Sequence, residues 1–400
     1  MKPVYMDHAA TTALSEGALN AMLPFMREQY GNPSAVYSYG QTARNAVEKS
    51  RDRVAKAIGA LRTEVFFTSG GTEGDNWVIR SVARMKRSAG RHIITSAIEH
   101  NAVRRTLEQL EADGYEVTRL IPDRLGQIAP EQLEAAIRPD TILVTIMLAN
   151  NVVGTVLDIP ALAAVARRHR VAFHTDAVQA VGHIPVNVRR LGVDYLTISA
   201  HKFNGPKGVG AVFCRMPGKL DPLLTGGGQE RERRSGTENV PGIVGMAQAL
   251  EEAVAALPES ESLLSALRDR MIEAVIAIPG VRLTGDPAAR LPGFCSFVVD
   301  GVSHSVLLVN AMNERGYCVS SGSACSASSK EASHVLLALG YDKQAASASL
   351  RITLGMDNAP EDVDGAVAAL RQAIEQIRTE AVTRAPRLEG RVAPVAGERE

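Results

Sequence analysis

Between about residue 40 and residue 215, short β-rich runs alternate with stretches of helical period, and this alternation restricts the fold more than any other feature of the chain. The candidate strands are Glu64–Thr68, His92–Thr95, Tyr115–Leu120, Thr141–Leu148, Val171–Thr175, Tyr195–Ser199 and Gly208–Cys214. Between them, Thr72–Lys86, Asn101–Asp113 and Ile159–His169 space apolar residues three and four apart. Strand–helix alternation predicts an α/β fold built on a mostly parallel seven-stranded sheet covered on both faces. Such sheets take ligands at the C-terminal ends of their strands, so the residues just after each strand are the ones to read for chemistry.

Past Gly226 the pattern changes to a Gly- and Arg-rich loop, a helical stretch from about Val240 to Ile278, a Pro/Gly break and strands near Gly293–Val299. This predicts a large domain over 15–255, a smaller α+β domain from 1–14 and 256–383, and a loosely held tail at 384–400. Lys plus Arg and Asp plus Glu both number 44, so overall charge suggests neither a nucleic-acid nor an anionic-membrane partner. The longest apolar run, Thr141 to Ala149, falls short of the ~20 residues of a bilayer helix, and MKPVYMDHAATT has no secretory apolar core. The expectation is a cytoplasmic protein with a small-molecule ligand. The cysteines Cys214, Cys295, Cys318 and Cys325 have neither disulfide-framework nor metal-ligand spacing, so no metal site is expected.

Four strand ends carry the polar groups to read for chemistry. After Glu64–Thr68 come Ser69-Gly70-Gly71-Thr72-Glu73 and a helix, a backbone able to close on a phosphate at a helix N-terminus, although an ordinary βα turn reads the same way. The run VAFHT ends in Asp176-Ala177-Val178-Gln179, YLTIS in Ala200-His201-Lys202, and HIIT leads to Glu99-His100. Taken singly, Asp176 could cap a helix, His100 could sit at the surface and Lys202 could be a solvated charge. Taken together, an anion cradle, a carboxylate and a lysine beside a second cation (Lys207 or His201) suit pyridoxal 5'-phosphate. The lysine amine forms a Schiff base with its aldehyde, the acid keeps the pyridine nitrogen protonated, and His100 lies over the ring. Ser320–Lys330, SSGSACSASSK, places one thiol in a segment with six serines and no large apolar side chain, which suits a mobile cysteine. Cys214, Cys295 and Cys318 fall in apolar runs and read as inert.

The chain resembles the NifS/IscS-like cysteine desulfurases, in the class V aminotransferase group of fold-type I pyridoxal-phosphate enzymes. The resemblance runs from Tyr5 to about residue 375 through YMDHAATT, YGNPSA, FTSGGTEGDN, SAIEHNAV, ANNVVGTV, HTDAVQAVG, SAHKFNGPKGVG, GGGQERERRSGTEN and SSGSACSASS. It implies that Lys202 carries the aldehyde, Asp176 meets the pyridinium nitrogen and Gln179 the phenolate oxygen, with His100 stacking. Gly71, Thr72, Ser199 and His201 would hold the phosphate, joined by Thr237 from a second subunit of a homodimer. Asn151 and Arg351 would bind the carboxylate of L-cysteine, and Cys325 would take its sulfur as a persulfide, leaving alanine. The sulfur acceptor would be an iron–sulfur scaffold or a tRNA-thiolation relay protein. Selenocysteine lyase or another class V aminotransferase is the alternative. Val152, Met356 and Ala200 depart from the common family pattern: Val152 replaces an expected charge near the substrate end, and Met356 a frequent arginine.

Overall fold

The computed structural model describes residues 3–322 and 332–384. Seven strands form one sheet in the spatial order Val65–Thr68, Gly210–Cys214, Tyr195–Ser199, Ala172–Asp176, Thr141–Thr145, His92–Ser96, Glu116–Leu120. All pairings are parallel except those of Gly210–Cys214, which runs antiparallel to both neighbours. All strands but the edge strand Glu116–Leu120 are buried throughout, which is why they read as continuous apolar runs rather than alternating ones. One face packs against a cluster that includes Val54, Leu162, Phe173, Phe203 and Ile243, the other against one that includes Trp77, Ile79, Val103 and Leu107.

The predicted strand Thr141–Leu148 stops at Thr145. Ile146 and Leu148 still donate their N–H groups to His174 and Asp176 carbonyls, but the chain then bends into a loop that crosses the strand ends. Asp158 caps the helix Ile159–Arg168 by accepting from the Ala161 N–H at 3.1 Å, with Pro160 in the first turn.

A second core lies beside the first. The antiparallel strands Ser349–Thr353, Phe294–Val299 and Val281–Leu283 pack against the helices Ser305–Glu314 and Pro360–Arg384, around Phe297, Leu350, Met312 and Leu370. Val4–Tyr5 pairs in parallel with Tyr317–Cys318 in this part of the molecule. The helix Val240–Ile276 serves both cores: Ile243, Met246 and Leu250 enter the large one, and Leu264, Leu267, Met271 and Val275 the small one. It is also long and apolar enough to cross a bilayer by length and composition, but 56% of its most apolar 18-residue stretch is buried inside this fold. The tail from 385 onward and most of the Ser320–Lys330 segment, Cys325 included, lie outside the described residues.

Candidate active site

At the C-terminal ends of the parallel strands a cavity of about 250 Å3 is lined by Lys202, Asp176, His100, Gln179, Asn151 and Arg351, together with Gly71, Thr72, Ser199 and His201. Eleven of the twelve positions singled out in the sequence fall within the described residues, and ten of them converge here. The exception is Thr237, which sits exposed just ahead of the helix Val240–Ile276 and does not line the cavity of its own chain.

The anion end is a helix N-terminus. The helix Gly71–Met85 begins after Gly70, whose φ of +151° suits glycine, and no side chain caps it. Its first N–H groups lack intrahelical acceptors and face the cavity with the positive end of the helix dipole. A Cβ at Gly71 would lie 2.7 Å from Val178 Cγ2, so a glycine here keeps the cradle clear.

Asp176 ends the strand Ala172–Asp176 and is 6% exposed; its Oδ1 accepts the Val178 N–H at 2.9 Å. Burial pushes its carboxyl up, opposed by the nearby His100 and Lys202. Beside it in the cavity wall is Asp75, fully buried and pushed well above the carboxylate range by burial and then by the Asp176 charge. His174, 3.7 Å from Asp75, is held down to about 3 by burial and bonded to Thr145 and Thr197 at 2.8 and 3.0 Å, so it is neutral.

Lys202 Nζ donates to the carbonyls of Ala9 at 2.5 Å and Ala10 at 2.9 Å, and the Gln179 amide donates to the same Ala9 carbonyl at 2.8 Å. His183 Nε2 lies 2.8 Å from the Lys202 carbonyl. His201 does not supply the second cation expected beside Lys202: burial, followed by the Lys202 and Lys207 charges, pushes it down to about 4, so it is neutral near pH 7. His100 is both a helix cap and a cavity residue. Its Nδ1 accepts the Ala102 N–H at 3.2 Å, which places the ring proton on Nε2, and burial lowers its pKa, so the ring is neutral.

The other end is built around Arg351, 2% exposed. Its guanidinium donates to Asp7 Oδ1 at 2.7 Å and to the carbonyls of Asn151 and Gly322 at 2.7 and 2.8 Å, while the buried Nε has no partner. Ser320 and Arg351 exchange backbone hydrogen bonds, and Ser349 Oγ donates to the Ser321 carbonyl at 3.1 Å. The chain entering the cysteine segment is therefore fastened to the arginine of the cavity.

Val152 replaces the expected charge with a fully buried contact among Ile98, Val298, Val335 and Leu336. Met356 is 47% exposed and outside the cavity, and Ala200 is buried against Gly205, where a Cβ would meet it at 2.8 Å. Burial pushes the thiols of Cys214 and Cys295 up to about 12, in keeping with inert roles.

Asp75, Asp7 and the Ala9 and Ala10 carbonyls were not legible as site groups in the sequence. All four stand inside the motifs FTSGGTEGDN and YMDHAATT, but nothing local marks them, because their partners are far along the chain.

A family model for class-V aminotransferases matches residues 4–365. The cysteine desulfurase IscS of Methanosarcina thermophila is 47% identical over 377 residues, covering 94% of this chain and 93% of its own. That of Dictyoglomus turgidum is 46% identical, covering 94% and 96%. A solved NifS-like protein superposes with a TM-score of 0.88 at 37% identity, covering 94% of this chain and all of the other. SspA in complex with cysteine does so with a TM-score of 0.78 at 35% identity, covering 88% and 98%. Matched along nearly its whole length, and with the strand-end cavity in place, the chain belongs to the class-V aminotransferases, in their cysteine desulfurase branch, a family of pyridoxal-phosphate-dependent enzymes.

Proposed function

We propose that this chain, as a cysteine desulfurase, binds pyridoxal 5'-phosphate in the strand-end cavity and converts L-cysteine to L-alanine while Cys325 takes the sulfur as a persulfide. The observation that carries the reading is the convergence of Lys202, Asp176, His100 and Arg351 on one cavity whose arginine also fastens the cysteine segment.

The residues fit the cofactor. The uncapped N-terminus of Gly71–Met85 suits a phosphate, and the buried Asp176 suits a cationic ring nitrogen, which would favour its charged form. Gly71, Thr72, Ser199 and His201 would hold the phosphate, with Thr237 from a second copy. Asp176 would hold the ring nitrogen, Gln179 the phenolate oxygen, and Lys202 the aldehyde, with His100 against the ring. When bound, pyridoxal phosphate supplies a carbonyl that condenses with amines and a ring that delocalises the electron pair left at the substrate α-carbon.

The rest is the work of the side chains. The Arg351 fork and Asn151 orient the substrate carboxylate. The Lys202 amine moves the α-proton, and neutral His100 is able to take the proton of the Cys325 thiol. The Cys325 thiolate then forms an S–S bond to the substrate sulfur. The C–S bond breaks with its electron pair left on the β-carbon, which takes a proton to become the methyl group of alanine. Sulfur is oxidised from thiol to persulfide as that carbon is reduced.

A homodimer is supported by large apolar groups left exposed at Met26, Tyr30, Val36 and Tyr37, and by the exposed position of Thr237. The resemblance alone supports an iron–sulfur scaffold or a tRNA-thiolation relay as acceptor, and incubation with labelled cysteine and each candidate decides between them. The activity is tested with Cys325→Ser: cofactor absorbance and its response to cysteine should be kept while sulfide release falls by at least about a thousandfold. Unchanged turnover would remove Cys325 from the reaction.

A further inference from the structure

The opposite edge of the seven-stranded sheet holds a second cavity, of about 370 Å3, where the strands Ala172–Asp176 and Tyr195–Ser199 begin. Each of these strands has five residues, so the sheet separates the two cavities by roughly 13 Å. The floor is apolar, from Ala163, Val171 and Phe173. The walls are cationic: Lys86, Arg167, Arg170, Arg215 and Lys219 all line the space, and Asp194 is the only acid among the lining residues.

That acid is already committed. Asp194 Oδ2 accepts the Phe173 N–H at 2.9 Å, and Oδ1 lies 3.7 Å from Arg215 Nε. Arg215 also spends its guanidinium on the Val193 carbonyl. Among the described residues no carboxylate forms an ion pair with Lys86, Arg167, Arg170 or Lys219. Lys86 is half-buried, and burial together with the Lys219 charge lowers its pKa, opposed by Asp194, so two ammonium groups crowd one recess whose single acid is already paired with Arg215.

Two backbone features hold this arrangement. Gly192 has φ +73°, and a Cβ there would lie 3.3 Å from Arg167 Nη1, so the glycine makes room for that guanidinium. Arg170 sits at φ +59°, a region that is unfavourable for a long L side chain and that Gly or Asn would occupy at lower cost. An arginine is held there all the same, beside the cavity.

We propose that this cavity is a binding site for a small polyphosphate anion, either inorganic triphosphate or the triphosphate chain of a nucleotide. Uncompensated cations on the walls of a concave, partly apolar recess focus a positive field. Arginine forks match phosphate oxygens in pairs. The volume lies in the range of small-molecule sites. A single phosphate would leave most of these cations unmatched, whereas a chain of phosphates reaches several at once.

The test is titration calorimetry on the cofactor-loaded full-length protein, in which the helix cradle of the other cavity is occupied. Sodium tripolyphosphate should bind saturably, and severalfold more weakly on going from about 50 to about 300 mM salt, because screening shortens the reach of the charges. Orthophosphate should bind at least about tenfold more weakly. Arg170→Gly relaxes the backbone and so does not threaten folding, yet it should weaken binding about fivefold. Lys86→Met combined with Lys219→Ser should weaken it at least about tenfold, with cysteine turnover unchanged. Adenosine triphosphate is titrated in parallel: equal affinity identifies the phosphate chain alone as the ligand, and tighter binding identifies a nucleotide. Absence of saturable binding, or affinity undiminished in both variants, overturns the proposal, as does binding only of an acidic peptide used as a comparison.

Discussion

Arg351 shows how much of the cavity rests on single side chains. The fork is almost wholly buried, and Asp7 and two carbonyls hold it where a substrate carboxylate would arrive. Lysine keeps the charge but loses the planar fork. Arg351→Lys should therefore raise KM for cysteine by about ten- to a hundredfold with cofactor absorbance intact, and lower stability by about 1–3 kcal/mol, as steady-state kinetics and thermal melts would show. Glu99 makes a different prediction. It is 1% exposed, accepts the Met147 N–H at 3.0 Å and bonds Ser96, and burial pushes it up to about 8. Its ordinary value is near 4.5, so the folded state holds a proton that the unfolded chain releases between those two values. That contribution to stability is complete below about 4.5 and is gone once the pH passes about 8. Glutamine mimics the neutral acid, so Glu99→Gln should flatten the fall in Tm between pH 6 and pH 9 by about 2–4 °C. At this scale Lys202, Asp176 and His100 were legible because each stands at or just past the end of a strand. The ionisation of Glu99 and His201 was not, since burial sets it and burial belongs to the fold.

Among the elements, the helix Gly71–Met85 does the most for the site. Its start is set by close backbone packing: a Cβ on Gly210 would lie 2.8 Å from the Cα of Gly70, and Gly70 adopts a φ that other residues rarely reach. Gly70→Ala should cost about 1–3 kcal/mol and tilt the first-turn N–H groups away from the cavity. The expected result is faster loss of cofactor on dialysis, followed by absorbance, with the fold kept by circular dichroism. The strands themselves were readable to within a few residues from apolar runs alone. Thr141–Leu148 was read too long because the apolar run continues past the strand: Ile146–Leu148 stays buried as a loop across the sheet, and hydrophobicity does not distinguish a buried loop from a buried strand.

For the whole molecule, the loop around Asn150–Val156 is where the two cores meet. Arg290 is 5% exposed and donates to the carbonyls of Val153 and Asp286, each at 2.8 Å, and also to Thr284; the Leu291 N–H reaches the Gly154 carbonyl at 3.0 Å. The same loop carries Asn151 and the Arg351 contact, so the join and the Arg351 end of the cavity are one structure. Arg290→Met would leave several buried carbonyls without donors. A loss of about 2–4 kcal/mol in a thermal melt is expected, with a raised KM for cysteine as the Asn151 loop shifts.

The amino-acid order alone determined the strand–helix alternation, hence an α/β sheet with a cavity at its strand ends, and the residue types that line this cavity. Both are written locally, in apolar period and in the few polar residues at the end of each strand. Only the tertiary structure decided that a second acid, Asp75, joins Asp176 in the cavity wall, that Lys202 is received by carbonyls 193 and 192 positions away, and that Arg351 is paired with a carboxylate 344 positions distant. Those contacts join the first residues of the chain to segments 193 and 344 positions later, and no local pattern encodes them because they exist only once the cores have closed and excluded water around them.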